Sequence, residues 1–223
     1  MVTNPGYGIG VPKPYTPNDK WSQKAAEMGY RARSVFKLME LDERFHLLKP
    51  GMRVLDLGAA PGSWLQYVSE KIGPEGVAIG LDLQKIEEIA PNVRTAKADI
   101  TDIPAVYLLL QALLSHERPK VDIVLCDLAP NTSGIRDIDQ WRSIELNEAA
   151  VALAAMVVNQ GGTCVLKVFR GADFDEFLMK MKNDWTVRLA HVAASRDRSN
   201  EVYLVMKRKR AQTKTQVDEA GSA

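Results

Sequence analysis

Acidic side chains stand at the ends of three successive apolar segments of this sequence. Asp56 ends the first segment just before the turn at residues 58–62, Asp82 ends the second, and Asp99 ends the third. One such acid is more often a helix cap or a solvated loop residue. Three in succession indicate a shared edge of a sheet, because ligands of open parallel sheets bind beyond the carboxyl ends of the strands.

The turn at residues 58–62 reads Gly-Ala-Ala-Pro-Gly. It lacks the G-x-G-x-x-G spacing that brings backbone N–H groups onto a pyrophosphate, which argues against a nicotinamide-dependent oxidoreductase. The turn suits a ligand without a pyrophosphate, such as S-adenosylmethionine, and Gly62 leaves room for close approach. Asp82 would then meet ribose hydroxyls, and Asp99 would accept a hydrogen bond from the adenine amine. A turn that binds no ligand could contain the same residues.

Composition indicates one soluble domain. The chain has 223 residues, of which 46% are hydrophobic, and its formal net charge is +1, so attraction to nucleic acid needs local clusters of Lys and Arg. Cys126 and Cys164 lie in apolar runs without metal-ligand spacing, and no metal site is predicted. No segment approaches the roughly 20 apolar residues of a membrane span. We expect a cytoplasmic protein.

Apolar segments alternate with helical patterns along most of the chain. Strands are predicted at residues 53–57, 77–82, 93–98, 121–127, 163–169, 186–191 and 201–207. Helices are predicted on both sides of Gly29 and at residues 63–72, 105–115, 141–162 and 174–183. This order predicts an α/β fold with a mostly parallel sheet, helices on both faces and a C-terminal antiparallel hairpin. Residues 1–18 are predicted to be a flexible arm, 19–207 one domain and 208–223 a disordered tail.

Five motifs together resemble a known family. YRARSVFKL, VLDLGAAPGSW, CDLAPNTSG, LKVF and SNEVYLV closely resemble, in order and spacing, the FtsJ/RrmJ family of RNA ribose 2'-O-methyltransferases. The resemblance covers about Asp19 to Lys207 and is greatest to the branch that acts on large-subunit ribosomal RNA. It implies a Rossmann-like methyltransferase fold with a seven-stranded sheet, S-adenosylmethionine as cofactor and a uridine of 23S-type ribosomal RNA as substrate. We expect a monomer that acts on RNA within the large ribosomal subunit and has no membrane partner.

The resemblance also implies a catalytic tetrad, which falls on Lys37, Asp127, Lys167 and Glu201. Lys167 interrupts an apolar strand, where desolvation favours the neutral amine that can accept the ribose proton. A nearby Lys37 would also favour the neutral amine of Lys167, whereas the carboxylates of Asp127 and Glu201 would favour its ammonium form. The sequence therefore leaves the protonation state of Lys167 open. A structural ion-pair network is the alternative. The predicted cofactor-binding residues are Gly58, Gly62, Trp64, Asp82, Asp99 and Asp127.

Arginines flank the same edge in the sequence. Arg31 and Arg33 precede the sheet, Arg196 and Arg198 precede the last strand, and guanidinium groups suit RNA phosphates. Each of them could instead belong to a solvated face. The chain departs from many relatives at Ser63, which replaces a glycine and suits a helix N-cap. At Asn200 a basic residue is common, so one phosphate contact is in doubt.

Two further functions remain open from the sequence. A tetrad of this kind does not select the RNA, so the anticodon loop of transfer RNA or a messenger RNA cap is an alternative substrate. A non-catalytic RNA-binding assembly factor could keep the fold, although an intact tetrad argues against it.

Overall fold

A seven-stranded sheet runs through the molecule. The computed structural model describes residues 20–128, 136–195 and 200–209, apart from the side chains of 136–140, so the predicted N-terminal arm and most of the predicted tail lie outside the described residues. The strands are β1 Arg53–Leu57, β2 Val77–Asp82, β3 Val93–Lys97, β4 Val121–Cys126, β5 Val158–Phe169, β6 Trp185–Ala190 and β7 Glu201–Arg208. Their order is β3-β2-β1-β4-β5-β7-β6. β7 runs antiparallel to both β5 and β6, and the other pairings are parallel, which confirms the predicted sheet.

Helices cover both faces of the sheet. They are α1 Lys20–Glu27, α2 Val35–Phe45, α3 Ser63–Ile72, α4 Ile103–Leu114, α5 Arg136–Val157 and α6 Phe174–Asp184. Successive strand residues point to opposite faces. Val54 of β1 therefore packs in the core under α1, α2 and α3, and Leu55 packs in the core under α4, α5 and α6. None of the helices that the structure describes is long and apolar enough to cross a membrane.

The structure differs from the sequence prediction between α5 and β5. We expected a helix over residues 141–162 and a strand from Thr163, but the helix ends at Val157 and the strand begins at Val158. Val158 pairs with Val121 of β4, and the register of the two strands then shifts. The local sequence of residues 158–162 is compatible with a helix or a strand. Pairing with the distant strand β4 selects the strand, because strand propensity depends strongly on tertiary context.

A buried hydrogen bond holds α2 against α3. The Tyr67 hydroxyl donates to Oδ2 of Asp42 at 2.9 Å, and Oδ1 of Asp42 accepts from the backbone N–H of Leu48 at 2.9 Å. Both side chains are buried. α2 carries Lys37 in its first turn, and α3 follows the glycine turn directly, so this bond fixes two parts of the candidate site relative to each other.

We expect Tyr67→Phe to lower the free energy of unfolding by about 1–3 kcal/mol, because Asp42 would keep a buried carboxylate oxygen without its donor. Urea denaturation measures the change. Tyr107→Phe on α4 is the matched control, because no described residue bonds to its hydroxyl, and it should cost less than about 0.5 kcal/mol. Equal losses in the two variants would contradict the role given to this hydrogen bond.

Candidate active site

A cavity of about 690 Å³ lies at the carboxyl ends of β1, β2, β3 and β4. Four of the predicted cofactor-binding residues line it, namely Gly58, Asp82, Asp99 and Asp127. Arg142 and Glu145 of α5 also line it, and sequence reasoning missed both. No local motif marks these two residues, because only the packing of α5 against the sheet brings them to the cavity.

Gly58 permits the sharp exit of the chain from β1. Its φ of 75° is in the left-handed region, and its N–H donates to the carbonyl of Leu81 at 2.9 Å. A Cβ at this position would lie 2.3 Å from Cδ2 of Leu128, in the segment that follows β4. A side chain at residue 58 would therefore strain the backbone and push apart two walls of the cavity.

Gly62 and Trp64 do not line the cavity. Gly62 has a φ of 104° and precedes α3, and a Cβ there would lie 2.7 Å from Cδ1 of Ile89. Trp64 is buried below the turn, and its Nε1–H donates to the carbonyl of Ser34 at 2.8 Å. The expected N-cap role of Ser63 is wrong, because Gly62 occupies the cap position and the Ser63 hydroxyl lies 3.0 Å from that of Ser34. Direct cofactor contacts of Gly62 and Trp64 stay predictions.

Asp82 and Asp99 each brace the backbone around the cavity. Asp82 accepts from the N–H of Ala60 at 2.9 Å and from the N–H of Gln84 at 2.8 Å. Oδ1 of Asp99 accepts from the N–H of Thr101 at 2.9 Å and from its hydroxyl at 2.7 Å. The backbone and side-chain hydrogen bonds from Thr101 lower the pKa of Asp99, so this carboxylate is charged at neutral pH.

Asp56, two residues before Gly58 in β1, is a buried acid that does not line the cavity. Burial raises the pKa of Asp56 well above its ordinary value, and the charges of Asp127 and Asp82 raise it further. Its Oδ2 atom has no hydrogen-bond partner among the described residues. Burial and the neighbouring carboxylates therefore both favour the protonated form of Asp56.

The four residues of the predicted tetrad lie together as two ion pairs. Nζ of Lys167 donates to the backbone carbonyl of Asp127 at 2.8 Å and lies 3.1 Å from its Oδ1. Nζ of Lys37 lies 2.6 Å from Oε1 of Glu201. Lys167 is 5% exposed, and its charge acts on Glu201 as well as on Asp127, so the two pairs form one cluster.

Tyr203 and Ser195 complete this cluster, and sequence reasoning missed both. The Tyr203 hydroxyl donates to Oδ1 of Asp127 at 2.7 Å, and Nζ of Lys37 lies 5.8 Å from the centre of its ring. Burial, followed by the charges of Asp127 and Glu201, raises the pKa of Tyr203 well above its ordinary value, so the hydroxyl remains a donor. Ser195 donates to Glu201. The sequence did contain a signal for Tyr203. It lies two residues after Glu201 in the same predicted strand, and residues two apart on a strand share a face.

Glu201 remains charged although it is largely buried. Burial alone would raise its pKa, but the charge of Lys37 and hydrogen bonds from Lys37 and Ser195 oppose this effect, together with the charge of Lys167. The net result is a pKa below the ordinary value. The folded state therefore gains stability from Glu201 above the unfolded-state pKa, and this gain is lost as the pH falls through the folded-state pKa.

The structure describes two of the four arginines that were predicted to bind RNA. Arg196 and Arg198 lie outside the described residues. The Arg31 guanidinium donates to the carbonyls of Pro61, Glu87 and Glu88 at 2.6–3.0 Å and so ties the glycine turn to the segment after β2. Arg33 donates to the carbonyl of Ala194 at 2.7 Å, near the Ser195–Glu201 pair. Both arginines thus brace the edge that carries the site.

We expect Lys37→Met to raise the pKa of Glu201, because burial would remain while the main opposing charge is removed. Carbon-13 NMR of the glutamate carboxyl carbons, recorded across an acid titration, measures it. Lys37→Arg keeps the charge and is the matched control, with the pKa of Glu201 still depressed. An unchanged Glu201 titration in Lys37→Met would refute this account of the cluster.

Known proteins resemble this chain over most of its length. The family described as FtsJ-like methyltransferase matches residues 30–209. A relative from Syntrophobacter fumaroxidans, named ribosomal RNA large subunit methyltransferase E, is 43% identical over 193 residues, which are 86% of this chain and 95% of the relative. A relative of the same name from Acinetobacter baumannii is 43% identical over 84% of this chain and 86% of its own length.

Solved structures share the architecture. A Plasmodium falciparum crystal structure described as a ribosomal RNA methyltransferase matches with a TM-score of 0.72 and 29% identity, over 81% of this chain and 98% of that one. The structure of a fibrillarin/Nop5p complex matches with a TM-score of 0.55 at 22% identity, over 77% of this chain and 80% of that one, and shows the fold alone. With a family match across residues 30–209 and relatives at 43% identity, the chain belongs to the FtsJ-like methyltransferase family.

Proposed function

We propose that this protein methylates a ribose 2'-hydroxyl of RNA, with a uridine of large-subunit ribosomal RNA as its target and S-adenosylmethionine as its methyl donor. The observation that carries the proposal is the cluster of two ion pairs, the buried Lys167 with Asp127 and the half-buried Lys37 with Glu201, beside an acidic cavity. The curated relatives named above are ribosomal RNA large subunit methyltransferases, which supports the choice of RNA.

The cavity suits S-adenosylmethionine. Its volume of about 690 Å³ is in the range of small-molecule sites. The carboxylates of Asp82, Asp99 and Asp127 line the cavity and fit a ligand that carries a sulfonium and an ammonium group. Asp56 does not line the cavity but lies two residues before Gly58 in β1, and its buried Oδ2 has no partner among the described residues. Asp82 would hold the ribose hydroxyls, and Asp99 would accept from the adenine amine. When bound, this cofactor supplies a methyl group on a positively charged sulfur.

Lys167 is the proton acceptor in this proposal. A ribose hydroxyl is a weak nucleophile, and it has to lose its proton as its oxygen becomes methylated. The two oxygens of Asp127 fix the direction of Nζ of Lys167, and Tyr203 in turn holds Asp127. Only the neutral amine of Lys167 has a lone pair that can accept the ribose proton. Lys37 and Glu201 are then placed to hydrogen-bond the incoming ribose.

RNA contacts are proposed at the arginines of this edge. Arg31 uses three of its five N–H groups on backbone carbonyls, so two N–H groups remain with its positive charge for a phosphate. Arg33, Arg196 and Arg198 are proposed to add to the same positive field. A monomeric state and a cytoplasmic location stay predictions.

A direct assay tests the function. Purified protein and labelled S-adenosylmethionine are incubated with intact large ribosomal subunits, naked ribosomal RNA and transfer RNA, and the modified nucleoside is then mapped by mass spectrometry. A 2'-O-methyluridine in large-subunit ribosomal RNA is the expected product. Methylation of a base, methylation of transfer RNA alone, or no transfer to any RNA would overturn the proposal.

We expect Asp82→Ala to weaken S-adenosylmethionine binding by about 1.5–3 kcal/mol, the cost of losing a charged hydrogen-bonding partner. Isothermal titration calorimetry measures the affinity. Asp175→Ala removes an exposed carboxylate of α6 and should leave the affinity unchanged. Unchanged affinity in a folded Asp82→Ala variant would remove Asp82 from the cofactor site.

Lys167→Met should keep the fold and the cofactor affinity while methyl transfer falls by about 100-fold or more, the typical effect of losing a general base. Lys167→Arg should be as inactive, because a guanidinium does not release its proton at usable pH. Single-turnover rates of the unmutated enzyme and of both variants measure the loss.

The matched control is Lys120→Met, because the ammonium of Lys120 also donates to a backbone carbonyl, that of Met156, but next to the start of β4 and far from the site. This variant should retain full activity. Near-normal activity of Lys167→Arg would mean that Lys167 acts as a positive charge and that another group takes the proton.

A further inference from the structure

A second cavity lies at the opposite ends of the strands from the candidate active site, at the edge where the parallel strands begin. It has a volume of about 530 Å³ and is bounded by the loop after α2, the start of β5 and the end of β7. Lys49, Arg188 and Lys207 line it, and all three are exposed. Thr163 and Thr186 add hydroxyl groups. We refer to this cavity, defined by these five residues, as the far-edge cavity.

The cations of the far-edge cavity lack acidic partners within the described part of the chain. Lys207 pairs with Thr186 across the β6–β7 ladder, and Arg188 pairs with Val205, so the two cations are diagonal neighbours about 7–8 Å apart at Cα. The one carboxylate that lines the cavity among the described residues is Asp122. Asp122 accepts from the N–H of Arg53 at 2.9 Å and from Nδ2 of Asn159 at 2.9 Å.

Such an arrangement suits an anion. Like charges on neighbouring strands repel each other, and an anion between them would remove this repulsion. Hydroxyl donors beside ammonium and guanidinium groups match the oxygens of a phosphate. The exposed positions of Lys49, Arg188 and Lys207 suit a phosphate on an extended chain, because several neighbouring phosphates can be contacted at once.

The fold connects this cavity to the active site along one face. α2 carries Lys37 in its first turn and is followed, after its last residue Phe45, by the loop with Lys49, so its length of about 16 Å spans the two edges. On β5, Lys167 and Thr163 are four residues apart, which is about 13 Å along the strand. An RNA that reaches the active site can therefore continue over α2 to the far-edge cavity.

We propose that the far-edge cavity binds backbone phosphates of the same RNA whose ribose is methylated at the other edge of the sheet. This inference rests on the proposed function. It explains how a chain with a formal net charge of only +1 can hold a large RNA: the positive charge is local and lies at both edges of one face. Substrates too short to reach the far edge would lose this contact.

The test is the double variant Arg188→Glu/Lys207→Glu. Fluorescence anisotropy with a long fragment of large-subunit ribosomal RNA should show an affinity lower by about tenfold or more, and the slope of log affinity against log salt should fall by about 1–2. Binding of a short oligonucleotide around the target uridine should not change. Lys49→Glu lies outside the strands, so it repeats the test without disturbing sheet pairing.

The matched control is Arg118→Glu/Lys182→Glu, which changes the formal net charge by the same amount. Both residues are exposed and lie on the other face of the sheet, beyond α4 and on α6. We expect near-normal RNA affinity in this control. Unfolding temperature and S-adenosylmethionine affinity, measured for every variant, identify any that fail to fold, and Lys49→Glu then decides the outcome.

Several outcomes overturn the inference. One is equal RNA affinity in the cavity variants and the control. Another is normal affinity for naked RNA with loss of methylation only on intact subunits, which would identify a protein as the occupant. Failure of the proposed function is separate: an unmutated protein that methylates no RNA refutes that function, whereas the binding comparison still decides whether phosphates occupy the far-edge cavity.

Discussion

The antiparallel insertion of β7 next to β5 is the constraint on which the candidate active site depends. In a purely parallel sheet, the first residue of a strand lies at the edge away from the ligand site. Because β7 runs in the opposite direction, its first residue, Glu201, pairs with Phe169 at the carboxyl end of β5, and Tyr203 pairs with Lys167. This register brings Glu201 to the edge where β4 ends at Cys126 and where Asp127 follows.

Placing these charges in the protein interior has a cost that the neighbouring groups reduce. Lys167 is 5% exposed, and removing an ammonium and a carboxylate from water is offset only when both are paired and hydrogen-bonded. Asp127 supplies two oxygens to Lys167, Tyr203 donates to Asp127, and Nδ2 of Asn147 donates to the backbone carbonyl of Lys167 at 3.0 Å. A buried ion pair is weak evidence for a net gain in stability.

The candidate cofactor cavity and the fold depend on the same contacts. Asp82 holds the glycine turn through Ala60, and the absence of a side chain at Gly58 lets Leu128 approach. Burial, followed by the charges of Asp127 and Asp82, raises the pKa of Asp56, which disfavours a third negative charge beside them. Substitutions in this region therefore change stability and ligand affinity together, and the two have to be measured side by side.

The sequence by itself determined the elements whose signal is local. The apolar runs, the glycine turn and the acids Asp82 and Asp99 could be located because each depends on neighbouring residues, and the parallel sheet follows from their order. The choice of Lys37, Asp127 and Glu201 rested on resemblance to a family, since nothing in the local pattern joins residues so far apart in the chain.

Only the tertiary structure decided the contacts between distant segments. It pairs Lys37 with Glu201, adds Tyr203 to the cluster, and starts β5 at Val158 through pairing with β4. It also turns Arg31 onto backbone carbonyls. The physical reason is common to all four: each depends on a partner more than 20 residues away, and such a partner is chosen by packing of the whole chain, whereas propensity and periodicity describe only a short window of residues.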